Sequence, residues 1–229
     1  YINGYWYYFN TSTGEMATGF QTITTSSGVT KKVYYNSSGQ MLYGWQTIGS
    51  YQYYFTRGTG ELQVSCVAGS ASDGYGYVDS NGRKTASADS NTAAMIKKAQ
   101  SYSSSTNWLI LVNCSTNKVG IFYGSKGNWT LKYYWSCTTG ASSTPTVKGS
   151  YTVGSKGLSF SGSNYTCWYY TQFYGNYLFH SVLYSKGSMT SILDGRLGMN
   201  LSHGCVRLSL SNAKWIYDNI PTSTKVISY

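Results

Sequence analysis

The sequence predicts a mainly β protein: a solenoid of β-hairpin repeats, then a larger strand-rich domain with a few helices. Three observations predict it. Charged residues are only 10% of the 229, against roughly 25% in an average globular chain. Tyr, Ser, Thr, Gly and Asn take their place, with 25 Tyr and 26 Gly, a composition that suits extracellular chains built of strands and turns. The first third of the chain repeats itself. The remainder alternates short apolar and aromatic runs with Gly/Asn/Ser/Lys clusters, and helical spacing occurs at two places only.

The repeats come first. Asn3-Gly4-Tyr5-Trp6-Tyr7-Tyr8-Phe9 leads to Gly14-Glu15-Met16, Val33-Tyr34-Tyr35-Asn36 to Gly39-Gln40-Met41, Tyr53-Tyr54-Phe55 to Gly60-Glu61-Leu62, and a weaker copy runs from Tyr75 to Arg83. The marker glycines Gly14, Gly39, Gly60 and Gly82 thus recur every 21 to 25 residues, a period of short stacked units. An aromatic run, a polar turn and a short apolar segment predict one hairpin per unit. A single hairpin cannot bury its aromatic face, so the units must stack. Residues 1–88 are assigned to these repeats. Asp89 to Ser104 reads as a helix capped by Asp89 or Ser90, with Ala93, Ile96 and Ala99 or Gln100 at helical spacing, and 89–106 is assigned as a helical linker. A third region, 107–229, follows. Strands are predicted at 109–112, 119–123, 131–135, 149–153, 165–173 and 177–180. Ser209 or Ser211 then caps a helix carrying Ala213, Ile216, Tyr217 and Ile220 and stopped by Pro221, and 225–228 closes as a strand.

Charge and cysteine content narrow the function. The net charge is +10, and residues 101–229 carry ten Lys/Arg against two acids, Asp194 and Asp218. No basic run exceeds two residues, so nothing calls for nucleic acid; an anionic surface polymer or a solvated basic face fits. No apolar run is long enough for a membrane span. No signal peptide is present and the chain opens inside a repeat, as expected of a piece of a longer exported protein. Five cysteines leave at least one unpaired, and Cys205 is the natural one. Cys66, Cys114, Cys137 and Cys167 form up to two disulfides or serve as small buried hydrophobes. A zinc site of His180, His203, Cys205 and another cysteine lacks closely spaced ligand pairs, so no metal or other cofactor is expected.

The chemistry concentrates at Ser202-His203-Gly204-Cys205-Val206-Arg207, with the second of the two histidines, His180, upstream. A thiol near a base, behind a glycine that lets main-chain N–H groups reach an attacked carbonyl, is the apparatus of acyl transfer. This run closely resembles the signature of the L,D-transpeptidases, the YkuD-type catalytic domain. Leu178-Phe179-His180-Ser181 is similar to that family's histidine strand, Thr138-Thr139-Gly140 with Thr144 to Val153 to its Gly…Thr-Pro segment, and Ser211 to Asp218 to the helix after the cysteine. The resemblance covers Trp108 to Tyr229 and implies a β-sandwich, barrel-like domain.

It also implies roles. Cys205 is the nucleophile and His180 its base, oriented by the carbonyl of Ser181; His203 and Gly204, with Cys205, supply N–H groups for the oxyanion. Arg207 either meets the substrate's negative groups or buttresses the loop, and Ser202, Thr139 and Gly140 are assigned to substrate binding, although the Ser202 hydroxyl also suits a turn. The substrate is the peptidoglycan stem peptide: cross-links form between third residues through a thioester, D-Ala leaves, and carbapenems inhibit. The alternatives are L,D-carboxypeptidase action and a catalytically inactive wall-binding module. Twenty-one residues separate His180 from Ser202, more than the family pattern, which implies an enlarged loop over the site between Tyr184 and Asn200. The repeats resemble choline-binding or cell-wall-binding repeats of Gram-positive, clostridia-like surface proteins, whose aromatic cages hold choline or another teichoic-acid group; in the plainer reading the aromatics only glue hairpins together. An extracellular, cell-wall-associated protein is implied.

Overall fold

In the computed structural model, which describes residues 1–229, every marker glycine adopts a left-handed backbone, with φ of 73° at Gly14, 73° at Gly39, 70° at Gly60 and 81° at Gly82. Side chains rarely adopt this conformation. An Asx turn precedes three of them: the Asn36 carboxamide oxygen accepts the N–H groups of Ser38 and Gln40 at 3.0 and 2.9 Å, and Asn10 and Asp79 do the same for their own turns. Each of the first three turns closes on a single bridge, Phe9 with Met16, Tyr35 with Met41 and Phe55 with Leu62. A Cβ on Gly39 would stand 2.2 Å from the Met16 sulfur, one on Gly60 2.4 Å from the Met41 sulfur, and one on Gly82 2.9 Å from Leu62 Cδ1. The apolar residue that ends one turn therefore rests on the glycine of the next. Main-chain bonds from Met41 N to Trp6 O and from Leu62 N to Lys32 O repeat the link.

The hairpins are phased differently from the sequence expectation. The long ladders join the end of one unit to the aromatic run of the next: β1 (Gly19–Thr24) with β2 (Thr30–Tyr35), and β3 (Gly44–Ile48) with β4 (Tyr51–Phe55). β5 (Cys66–Ser70), β6 (Gly74–Val78) and β7 (Lys84–Ser87) form a meander. The glycine turns at 10–15, 36–40 and 56–61 hold one bridge each, whereas the ladders close over 25–29 and 49–50. Stacking buries Val33, Tyr35, Met41, Tyr53, Phe55 and Leu62. These elements belong to the first of two compact units, Tyr1–Ala93 and Ala94–Tyr229.

α1 (Ser90–Ala99) is capped by Asp89, whose carboxylate accepts the Thr92 N–H at 2.7 Å; it ends five residues before the expected Ser104. The second unit continues with β8 (Trp108–Asn113), β9 (Lys118–Tyr123), β10 (Thr130–Ser136), β11 (Thr139–Gly140), β12 (Gly149–Thr152), β13 (Lys156–Ser161) and β14 (Tyr165–Tyr174). β15 (Tyr177–Ser181), β16 (Leu183–Ser185), β17 (Ile192–Asp194), β18 (Asn200–Ser202), β19 (Val206–Leu208), α2 (Leu210–Asn219) and β20 (Lys225–Ser228) complete it.

One sheet runs β12-β20-β8-β9-β10, and a second runs β17-β16-β14-β15-β19 with β13 on β14. Between them, Ile110, Val112, Ile121, Phe179, Val206 and Leu208 share one core with Ala213 and Ile216 of α2. The Ser209 hydroxyl caps α2 by accepting the Asn212 N–H. The fold is mainly β, as the pattern predicts, and every strand expected in this unit is present. The segment Tyr184 to Asn200 is not simply a loop: β16 and β17 make a short hairpin that extends the second sheet. No disulfide joins any of the five cysteines, and Cys66, Cys137 and Cys167 are buried.

Candidate active site

The parallel pairing of β15 with β19 sets the site. Its register places His180 opposite Arg207, and Cys205 lies immediately before β19. Side chains two apart on a strand share a face, which directs Cys205 and Arg207 to the histidine's side. His180, Cys205, Arg207, Ser202 and His203 line one cavity of about 150 Å³, closed by Phe160, Tyr165, Cys167 and Leu183.

Hydrogen bonds fix the turn that carries the thiol. The Ser202 hydroxyl donates to the Cys205 carbonyl at 2.5 Å and accepts the Gly204 N–H at 3.1 Å, so the Gly204 N–H already has a partner. Gly204 has φ of 112°, and a Cβ there would meet the Tyr177 ring at 2.7 Å; only glycine fits. Its carbonyl accepts from the Thr146 hydroxyl at 2.8 Å, which in turn accepts the Gly140 N–H at 2.8 Å. The Ser202 carbonyl accepts the Thr144 hydroxyl and the Ala141 N–H. Thr139 donates to Asn117 at 2.7 Å and accepts from Asn200 at 2.8 Å, and Asn117 also donates to Asn200. Thr139 and Gly140 are buried and line a separate cavity of about 370 Å³. The structure thus brings seven of the nine expected site residues to the cysteine and its turn. It sets Thr139 and Gly140 behind them as support.

The His180 ring is buried, with Nδ1 2.6 Å from the Ser181 carbonyl. A carbonyl only accepts, so Nδ1 carries the proton and Nε2 is left as the basic atom. The Phe160 ring stands edge-on at 5.1 Å. Burial lowers the His180 pKa to about 4, with the Arg207 charge acting in the same direction and the Ser181 carbonyl opposing. Burial also pushes the Cys205 thiol up, against a backbone hydrogen bond from Leu178 and the Arg207 charge; the thiol donates to the Asn176 carbonyl at 3.4 Å. At neutral pH both groups are therefore uncharged. Cys167, on the cavity wall, is raised to about 12 by burial and stays a thiol. His203 is exposed at the rim.

Arg207 is 7% exposed and is paired with Asp194 at 3.1 Å. Asp194 also takes a two-pronged bond from Arg196, at 2.8 and 3.1 Å, which with the other arginine holds its carboxyl at about 2. Sequence reasoning missed Asp194. A signal existed: it is one of only two acids among ten basic residues in 101–229. No group of three or more His, Cys, Asp or Glu side chains is placed to hold a metal ion.

The family profile of the L,D-transpeptidase catalytic domain, YkuD, matches residues 107–227. The L,D-transpeptidase-family protein YciB of Bacillus subtilis (strain 168) is 46% identical over 55 residues, 24% of this chain and 28% of that protein. A solved fused Zn-dependent amidase/peptidase/peptidoglycan-binding domain-containing protein from Clostridium acetobutylicum ATCC 824 is 42% identical with a TM-score of 0.51, covering 60% of this chain and 59% of that one. An L,D-transpeptidase from Mycobacterium smegmatis aligns at 21% identity and a TM-score of 0.41, over 54% of this chain and 58% of its own. The chain thus spans well under two thirds of each of these relatives. With its signature run, its paired histidine strand and the profile match across 107–227, the chain belongs to the L,D-transpeptidase (YkuD) family.

Proposed function

We propose that this protein is a peptidoglycan L,D-transpeptidase at the cell wall, with catalysis in 107–229, a linker in 89–106 and wall attachment through the repeats in 1–88. One observation carries the reading. A free thiol on a hydrogen-bonded glycine turn and a neutral imidazole with Nδ1 held by a main-chain carbonyl line the same cavity. Cys205 attacks the carbonyl of the third residue of a donor stem peptide while His180 Nε2 takes the thiol proton, so the thiolate forms at the moment of attack. The N–H groups of His203 and Cys205, and that of Gly204 when Ser202 yields it, receive the oxyanion. His180 returns the proton to the departing D-Ala amine and a thioester remains. The side-chain amine of an acceptor stem attacks the thioester, His180 takes the amine proton, and the thiol is restored as the cross-link forms. Arg207 meets a carboxylate of the donor.

Intact-mass measurement with imipenem tests the thiol chemistry. One adduct on the wild type and none on Cys205→Ala is expected; no adduct on either would leave an inactive wall-binding module. In a second arm, donor tetrapeptide and an acceptor stem should give D-Ala and a cross-linked product together. D-Ala without cross-link would make the protein an L,D-carboxypeptidase.

A further inference from the structure

Three aromatic faces of the repeats already carry a cation of the same chain. Lys32 Nζ lies 4.8 Å from the centre of the Phe20 ring, Lys84 Nζ 4.8 Å from Trp45, and the Arg83 guanidinium 4.2 Å from Tyr51. Phe20 further stands edge-on to Tyr34 at 4.9 Å and to Tyr53 at 5.3 Å, which fills that junction. Aromatic faces of this kind attract a quaternary ammonium. A tethered cation holds each of them, so an ammonium ligand would only exchange one cation–π contact for another.

A different junction is open. A cavity of about 400 Å³ between the first repeats has Trp6, Tyr8, Tyr35 and Tyr43 among its walls and Lys31 at its edge, and no acidic side chain lines it. One tyrosine hydroxyl there is weakly engaged: Tyr43 donates to the Met41 thioether at 3.4 Å, a weak acceptor. Burial raises the Tyr35 hydroxyl to about 12, with Tyr43 and Tyr8 adding to it, so it remains a donor. Lys31 donates to the Thr59 carbonyl, and an ammonium has three donors. Trp6, 52% exposed, offers a flat apolar face.

We propose that this cavity binds an anionic saccharide, not a quaternary amine: the sugar ring stacks on the Trp6 and Tyr8 faces, its polar groups meet the tyrosine hydroxyls, and its acidic substituent pairs with Lys31. Aromatic walls with a few convergent polar groups and one charge make a ligand site of this class. The inference goes beyond the transpeptidase reading and needs no catalysis for its test.

Calorimetric titration of the full chain with N-acetylmuramic acid, N-acetylglucosamine and choline decides it, because the two sugars differ by one carboxylate-bearing ether. N-acetylmuramic acid should bind about fivefold more tightly than N-acetylglucosamine, as a charge-assisted bond predicts, and choline should give no binding. Lys31→Gln should bring the ratio of the two sugars to about 1 with N-acetylglucosamine affinity held within about twofold, and Trp6→Ala should weaken both about tenfold. Choline binding more tightly than either sugar, no sugar binding to the wild type, or a ratio that survives Lys31→Gln would overturn the proposal.

Discussion

Replacing Thr146 by Val should damage the site while leaving Cys205 and His180 themselves unaltered. Thr146 is 4% exposed, and valine keeps its shape while deleting the hydroxyl that accepts the Gly140 N–H and donates to the Gly204 carbonyl, both at 2.8 Å. Both partners are buried. Each buried polar group left without a partner costs about 1–3 kcal/mol, so with partial relaxation the loss should total about 2–5 kcal/mol. Thr146→Ser keeps the hydroxyl and loses one methyl, a cost of about 1 kcal/mol. The Gly204 carbonyl is released in the valine variant, and Gly204 precedes the nucleophile. A displacement of about 1 Å there should slow acylation about 100-fold. Urea unfolding with a common slope gives the stability, and the rate of imipenem adduct formation gives the chemistry. A valine variant within about 0.5 kcal/mol of wild type, or one that acylates as fast as the serine variant, would refute the reasoning.

Two further outcomes follow from the electrostatics. His180 has a folded pKa of about 4 against an ordinary 6.5; between these values the unfolded chain binds the extra proton, so stability is complete above about pH 6.5 and falls toward pH 4, by roughly 3 kcal/mol. His180→Gln should remove this slope in urea unfolding between pH 7 and 4.5. That range lies above the loss from Asp73 and Asp194, whose carboxyls are held at about 2 and whose stabilisation fades only as pH falls below the carboxylate range. Asp194→Asn leaves the Arg207 charge buried without its partner and should cost about 3 kcal/mol, with KM for a carboxylate-bearing donor changing more than kcat; unchanged unfolding would show that the pair contributes nothing.

Strands such as 109–112 and 119–123 were legible because uninterrupted apolar runs mark strands covered on both faces, and α2 because a serine cap, a helical apolar spacing and Pro221 bracket it. Cys205 and its turn were legible because Ser202 to Arg207 is a local motif, and His180 because its strand is similar to the family's histidine strand. The hairpin phase of the repeats was not, since the turns that hold one bridge and the connections that close a full ladder present similar Ser, Thr and Gly residues. The β16–β17 hairpin was hidden because three-residue strands in a Gly-, Ser- and Met-rich stretch show no period. Thr139 and Gly140 stand in the motif, but only the tertiary arrangement turns them toward a different cavity. The neutral state of His180 depends on burial, which no single position reveals.

The parallel pairing of β15 and β19 separates the chemistry from the crossover that joins them. A parallel pair must be connected by a long excursion, and the rungs from Phe179–Val206 to Ser181–Leu208 are set by the strands, not by the length of that excursion. Residues can be added to or removed from the turn between β16 and β17 while His180 keeps its rung opposite Arg207 and Asp194 keeps its ion pair with Arg207. Selection, or an engineer grafting loops, is thereby free to remodel which peptide enters while leaving the reacting atoms in place.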